Sequence, residues 1–205
     1  MTRERIVIEN IEPQLQGGDF FIKRVTGELV HVTADVLGDG HDVLEAEVCY
    51  KRKTDKTWQT MRMHPLVNDA YAANFRVEHQ GFYEYKIRGW IDHPLNWQHG
   101  IEAKLKDAQY VKSELLDGIQ HLDAVAEKLD DDGKHYVANV KKLFADENRY
   151  DEACKYAISE DLHRIFKDHP TRNLAHESKT LEVYVDRYKA RFSTWYEFFP
   201  RSASQ

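Results

Sequence analysis

The chain has 205 residues, of which 41% are hydrophobic and 12% aromatic, and its formal net charge is -6 at pH 7. This length and apolar content are sufficient for one large globular domain or two small ones. Because a net negative charge repels both a phosphate backbone and an anionic bilayer, the composition argues against nucleic acid and membrane surfaces as partners.

The two cysteines, Cys49 and Cys154, show no short spacing of the kind that marks a disulfide framework or a zinc site. The N-terminal residues lack the apolar core of a signal peptide, and no run of apolar residues approaches the length of a membrane span. These features predict reduced cysteines and a cytoplasmic protein.

Apolar residues recur at nearly every second position from Arg5 to about Lys104, which is the period of half-buried strands. Four such sets are Val30, Val32, Ala34 and Val36; Leu44, Ala46, Val48 and Tyr50; Tyr71, Ala73, Phe75 and Val77; and Tyr83, Tyr85, Ile87, Gly89 and Ile91. In these strands Glu47, Cys49 and Trp90 fall on the opposite faces. The spacing predicts an antiparallel, immunoglobulin-like β-sandwich over residues 1–106.

The apolar period changes to three and four residues at about Asp107, which predicts an amphipathic helix that runs to Leu129 and is about 35 Å long. The stripe comprises Val111, Leu115, Ile119, Leu122, Val125 or Ala126, and Leu129. The Asp-Asp-Asp-Gly sequence at residues 130–133 is interpreted as the turn that ends this helix. Neighbouring helices that are shorter cannot cover the whole stripe, so we expect it to promote a homodimer.

Three shorter helices are predicted after this one. The first contains Tyr136 or Val137 and runs through Phe144, and the second covers about residues 150–158. Ser159 is a typical helix cap for the third, which Pro170 prevents from continuing. The helical segment as a whole is predicted to cover residues 107–178.

Alternation returns at Leu181, Val183 and Val185, which predicts a strand within residues 179–189 that rejoins the sandwich. The helices would then be an insertion into the β-domain. No stretch rich in Gly, Ser or Pro separates the parts, which supports a packed α+β arrangement without a free linker.

The C-terminal stretch is the most aromatic part of the chain. Its aromatic residues are Tyr188, Phe192, Trp195, Tyr196, Phe198 and Phe199. A strand this apolar requires sheet neighbours and a layer that covers it. We therefore expect the 205 residues to be the front of a longer protein.

This stretch also has a recognisable family resemblance. The run from Val-Asp-Arg at residues 185–187 to Trp-Tyr-Glu-Phe-Phe-Pro-Arg-Ser at residues 195–202 resembles the join between the accessory and catalytic domains of maltosyltransferases that use maltose 1-phosphate. Further matches are Gly-His-Asp at 40–42, Gly-Phe-Tyr-Glu-Tyr at 81–85, Trp-Ile-Asp at 90–92 and Trp-Gln-His at 97–99.

The resemblance implies the N-terminal accessory region of an α-1,4-glucan:maltose-1-phosphate maltosyltransferase, a family similar to α-amylases in its barrel. It implies transfer of maltosyl units from α-maltose 1-phosphate to the non-reducing ends of α-1,4-glucans, with release of phosphate, by a homodimer. Residues 190–205 would begin a (β/α)8 barrel that is otherwise outside this chain. The resemblance places the catalytic Asp and Glu on barrel strands, so Glu197 and Arg201 are interpreted as structural.

A search for catalytic and ligand-binding motifs assigns no catalytic, cofactor-binding or metal residue. The chain has no Gly-rich phosphate loop, paired-histidine metalloprotease motif or nucleophile elbow. His163, His169 and His176 are six and seven residues apart, and residues 130–133 lack the alternating ligands of a calcium loop. The pair His41 and Asp42 is interpreted as a turn in which Asp42 binds local backbone.

Two other functions compete with this interpretation. The first is a carbohydrate-binding β-sandwich module of another α-glucan-active enzyme, in which Trp58, Trp90 or Trp97 stacks on sugar rings. The second is an interaction protein without any connection to sugars. The basic residues Lys51, Arg52, Lys53 and Lys56 are predicted to form a solvated hairpin tip.

Overall fold

The computed structural model describes residues 5–38, 40 and 42–192. The strands in this part are β1 (Ile6–Glu12), β2 (Ile22–Val25), β3 (Leu29–Gly38), β4 (Leu44–Arg52), β5 (Gln59–Arg62), β6 (His64–Pro65), β7 (Ala70–Arg76), β8 (Gly81–Ile91), β9 (His176–Glu177) and β10 (Leu181–Asp186). The helices are α1 (His93–Lys106), α2 (Lys112–Ala126), α3 (Asp131–Ala145), α4 (Tyr150–Ala157) and α5 (Glu160–Asp168). Single 3-10 turns cover Gln16–Gly18 and Tyr188–Arg191.

The strands form two sheets. One has the order β1-β3-β7-β6, and the other has the order β2-β10-β8-β4-β5 with β9 beside β8. Strand β10 pairs in parallel with β2 and antiparallel with β8, so the second sheet is mixed. Two largely antiparallel sheets fit the predicted β-sandwich, and with the helices they make the chain an α+β protein.

The chain divides into two compact units. Of the described residues, the helical unit takes those within 5–7, 37–45 and 89–176, and the sheet unit takes those within 8–36, 46–88 and 177–192. None of the helices within the described residues is both long and apolar enough to cross a membrane.

Strand β3 confirms the predicted alternation, because Val30, Val32, Ala34 and Val36 are all buried. In strand β4 the predicted alternation of buried and exposed residues is wrong. Glu47 and Cys49 were placed on the opposite, half-exposed face, yet Glu47 is only 1% exposed and Cys49 is fully buried. The physical reason is that charged side chains of β8 and β9 lie over this face, because Arg88 donates both to Glu47 and to Glu177.

The predicted return strand is confirmed. Strand β10 lies opposite β8 with Leu181 against Tyr85, Val183 against Tyr83 and Val185 against Gly81. All three β10 residues are buried. Only three alternating apolar residues are needed to form this strand, because β2 and β8 flank β10 and satisfy its backbone groups.

Helix α1 corrects the interpretation of residues 93–106, which the alternation had placed in the β-sandwich. Asp92 caps the helix, since its Oδ1 accepts a hydrogen bond of 3.1 Å from the Leu95 amide, and Pro94 lies in the first turn, where its missing N–H costs nothing. The buried residues Leu95, Gln98 and Ile101 are three apart, which is a helical spacing.

The long helix predicted over residues 107–129 is shorter than expected. Helix α2 has 15 residues, or about 22 Å, and Asp107 instead closes α1. The Asp-Asp-Asp-Gly sequence at 130–133 begins a helix and does not end one, because Asp130 Oδ1 accepts a hydrogen bond of 2.9 Å from the Gly133 amide at the start of α3. Helices α4 and α5 confirm the remaining predictions, with the Ser159 hydroxyl accepting from the Leu162 amide.

The apolar stripe of α2 is covered within one chain, contrary to the argument that a second subunit must cover it. Val111, Leu115, Leu122 and Val125 have no exposed surface. They share one core with residues of the other four helices, including Leu95, Val140, Ala153 and Phe166. The neighbouring helices cover the stripe because α2 has four turns and not six, so the stripe is no argument for dimerisation.

Candidate functional site

One face of β8 in the sheet unit carries several linked ion pairs. Tyr83, Tyr85 and Ile87 are buried on one side of this strand, so the alternate residues Phe82, Glu84, Lys86 and Arg88 share the other side. We call this side, with its neighbours on β4, β9 and β10, the charged face.

Arg88 joins two carboxylates on the charged face. Its Nη1 donates to Glu47 Oε1 at 2.9 Å, and its Nε and Nη2 donate to Glu177 Oε1 at 2.8 and 2.7 Å. Lys86 donates to the other oxygen of Glu177. Glu47 is almost completely buried, and Arg88 is the guanidinium that compensates its charge.

Glu177 does not have the properties of the acid in a glycosyl-transfer pair, which must be held protonated. Hydrogen bonds from Lys86 lower the pKa of Glu177, and those from Arg88 add to this effect although burial opposes it. Glu177 therefore stays ionised. The nearby thiol is equally unreactive, because burial raises the pKa of Cys49 to about 11.

Trp58 is half-buried on the charged face, where two ammonium groups lie over its ring. The distances from the ring centroid are 5.0 Å to Lys51 Nζ and 4.9 Å to Lys86 Nζ. Cation–π attraction favours this arrangement. The hairpin predicted around Lys51 and Lys53 is confirmed by pairing of Tyr50 with Gln59, but both lysines bind carboxylates, Lys51 with Glu84 at 3.3 Å and Lys53 with Glu182 at 2.5 Å.

Three aromatic rings cluster beside these ion pairs, and the sequence analysis did not assign them to a site. The ring centroids of Phe21 and Phe82 are 5.5 Å apart, those of Phe21 and Tyr184 are 5.9 Å apart, and those of Phe82 and Tyr184 are 5.1 Å apart. We call these three residues the aromatic triad. The available signal was that Phe82 and Tyr184 occupy the polar positions of alternating strands.

The other tryptophans proposed for sugar binding are structural. Trp90 is fully buried, and the Arg172 guanidinium lies 5.3 Å from its ring centroid. Trp97 packs against Phe144 and Phe166 in the core of the helical unit, and its Nε1 donates to the Glu114 carbonyl at 2.7 Å. Stacking on a sugar requires an open ring face, which the fully buried Trp90 does not have, and the half-buried Trp97 already packs its ring against other side chains.

Two of the histidines considered as metal ligands have structural roles in the helical unit. His163 Nδ1 lies 3.0 Å from Gln98 Oε1, and His169 terminates α5. Within residues 5–38, 40 and 42–192, no three His, Cys, Asp or Glu side chains lie close enough to hold a metal ion. Asp42 accepts from Arg5 at 2.8 Å and from Asn96 at 3.0 Å, whereas local backbone was the expected partner. His41 is outside the described residues.

Comparison with known sequences identifies the family. Residues 4–187 match the profile of the α-1,4-glucan:maltose-1-phosphate maltosyltransferase family, domain N/S. The chain belongs to this maltosyltransferase family. The resemblance seen in the sequence is thereby confirmed, although its most specific stretch, residues 195–202, lies outside the described residues together with Glu197 and Arg201.

Curated maltosyltransferases align along almost the whole chain. The one from Chlorobaculum tepidum is 38% identical over 208 residues, which is 99% of this chain and 30% of that protein. Those from Salinibacter ruber and Myxococcus xanthus are 36% and 37% identical, and cover 97% and 98% of this chain. The chain spans about 30% of the length of these maltosyltransferases.

Proposed function

We propose that this chain is the non-catalytic N-terminal part of a protein that transfers maltosyl units from α-maltose 1-phosphate to the non-reducing ends of α-1,4-glucans. The family match over residues 4–187 supports this proposal. The charged face agrees with a non-catalytic role, because Glu47 and Glu177 are neutralised by Arg88 and Lys86. The chemistry is then expected in the part of the protein that the chain does not cover.

The proposal includes a finer description of the fold. The strands form an immunoglobulin-like sandwich, and the five helices are an insertion because α1 to α5 lie between β8 and β9 in the chain. The insertion begins at His93 and not at residue 107. Residues 190–205 would lead into a (β/α)8 barrel. The cytoplasmic location predicted from the sequence remains part of this proposal.

The location of catalysis can be tested directly. We expect the intact protein to release phosphate from α-maltose 1-phosphate when glycogen is the acceptor. Residues 1–205 alone should release phosphate only at the background rate measured in buffer without protein. Released phosphate is measured with a colorimetric assay. Turnover by residues 1–205 would place catalysis in this chain and contradict the proposal.

The alternative is a carbohydrate-binding module of another α-glucan-active enzyme. The same assay separates the two, because an intact protein of that kind would not release phosphate from maltose 1-phosphate. Burial of Trp90 and the packing of Trp97 against Phe144 and Phe166 weaken two of the three tryptophans on which the alternative was based.

We propose further that the chain contributes to a homodimer. Large apolar side chains remain exposed on the helical unit, among them Tyr110 at 73% and Leu174 at 84%, and association would remove them from water. The intact protein is expected to sediment as a dimer at micromolar concentration, and a monomer there would contradict the proposal. Leu115 is fully buried, so a charge at that position is expected to unfold the helical unit and not to dissociate a dimer.

A further inference from the structure

The aromatic triad is an unusual feature for the solvent side of a sheet. Phe82 and Tyr184 lie directly opposite each other on β8 and β10, and Phe21 immediately precedes β2 on the other side of β10. Phe21 and Phe82 are each 38% exposed although their rings contact one another. The ring planes are inclined to one another by 55° to 87°. The three rings thus form an open, uneven apolar platform across three neighbouring strands, about 10 Å wide at the usual strand spacing.

The groups beside the platform carry many charges that are already paired. Four cations and four carboxylates bind one another, so this set has no net formal charge, although the chain as a whole carries -6. The cations are Lys51, Lys53, Lys86 and Arg88, and the carboxylates are Glu47, Glu84, Glu177 and Glu182. A balanced surface of this kind does not attract a polyanion or a strongly basic peptide, but it offers many hydrogen-bond donors and acceptors.

We propose that the aromatic triad and its flanking ion pairs bind an α-1,4-glucan chain away from the catalytic part of the protein. Glucan is a neutral polyhydroxyl polymer, so its apolar ring faces suit the platform and its hydroxyls suit the paired charges. Lys53 connects the two features, since its ammonium binds Glu182 and lies 5.6 Å from the Phe82 ring centroid. The choice of an α-1,4-glucan rests on the proposed function.

The length of the charged face favours a polymer over a single sugar. The ammonium of Lys86 lies over the Trp58 ring. Lys86 is four residues from Phe82 on β8, which separates the two residues by about 14 Å at the usual rise per strand residue. Several linked glucose units could therefore contact the aromatic triad and the polar groups in front of Trp58 at the same time.

The test is affinity electrophoresis of the intact protein through gels with and without soluble amylose. The variant combines Phe82→Thr with Tyr184→Thr, because threonine is well accommodated in strands. Leu29→Thr is the matched control, since Leu29 is 52% exposed on β3 in the other sheet of the same unit. We expect amylose to retard the wild type and the control, and the double variant to bind about tenfold more weakly, as the loss of two stacked rings implies.

The proposal would be overturned if amylose did not retard the wild type or if it retarded all three proteins equally. Equal retardation together with dissociation of an oligomer by the double variant would show that the aromatic triad contacts another subunit. Phe21→Ser, which lies outside the strands, replaces the double variant if circular dichroism shows that the latter does not fold. Phosphate release with maltohexaose as acceptor is measured in parallel. Wild-type release without amylose retardation contradicts the glucan surface alone, whereas a lack of release contradicts the proposed function.

Discussion

Replacing Gly118 with alanine is expected to destabilise the helical unit by about 2 kcal/mol, although the same change in an open helix is favourable. Gly118 is buried in α2, and a Cβ there would lie 2.2 Å from Trp97 Cζ2 and 2.8 Å from Cε2. The indole cannot easily move, because its Nε1 donates to the Glu114 carbonyl and its ring packs against Phe144 and Phe166. The free energy of unfolding is measured by denaturant titration.

Gly100 is the matched control for this prediction. It also lies within a helix, α1, but a Cβ there would meet no atom within 4 Å. Gly100→Ala should therefore stabilise the protein by about 0.5–1 kcal/mol, because alanine loses less backbone entropy in a helix than glycine. If both substitutions stabilise, the Trp97 ring adjusts at little cost, and the steric explanation of Gly118 is wrong.

Replacing Arg88 with methionine is expected to lower the free energy of unfolding by about 3 kcal/mol. This is the lower end of the range for breaking a buried ion pair, because the Arg88 side chain is 26% exposed. The variant removes the Arg88 guanidinium from the carboxylate of Glu47, which is 1% exposed. Adding Glu47→Gln to Arg88→Met should recover much of the loss, since it removes the buried charge. Unfolding free energies of the three variants form a double-mutant cycle.

Arg164→Met is the surface control for this cycle. The side chains of Arg164 and Asp161, which form an ion pair, are 70% and 66% exposed. Loss of this pair should change the free energy of unfolding by less than about 0.5 kcal/mol. A similar cost at Arg88 and Arg164 would contradict the importance of the buried pair.

The pH dependence of stability gives an independent measurement on the same cluster. Lys86 and then Arg88 hold the pKa of Glu177 below its ordinary value of 4.5. A carboxylate with a lowered pKa stabilises the fold above the unfolded pKa, and this contribution disappears as the pH falls through the folded pKa. Arg88→Met should make the loss of stability below about pH 4.5 shallower than in the wild type. An unchanged slope would show that Lys86 alone determines the pKa.

Which residues share a face, and where several elements end, can be predicted from the sequence alone. Alternation identified the buried residues of β3 and the return strand β10, and Ser159 and Pro170 marked the limits of α5. These features are local, because side-chain direction repeats every two residues in a strand and every 3.6 in a helix. Family membership was also recognisable, since it depends on consecutive residue identities.

Which faces are covered depends on contacts between distant parts of the chain. Glu47 and Trp90 occupy positions that alternate with apolar residues, yet both are buried because other elements lie over them. Likewise, neighbouring helices cover the α2 stripe within one chain. The aromatic triad brings together residues 21, 82 and 184 through the strand order β2-β10-β8, which combines a parallel and an antiparallel pairing. Periodicity in the sequence reports the direction of a side chain but contains no information about contacts with distant segments, and burial and clustering depend on those contacts.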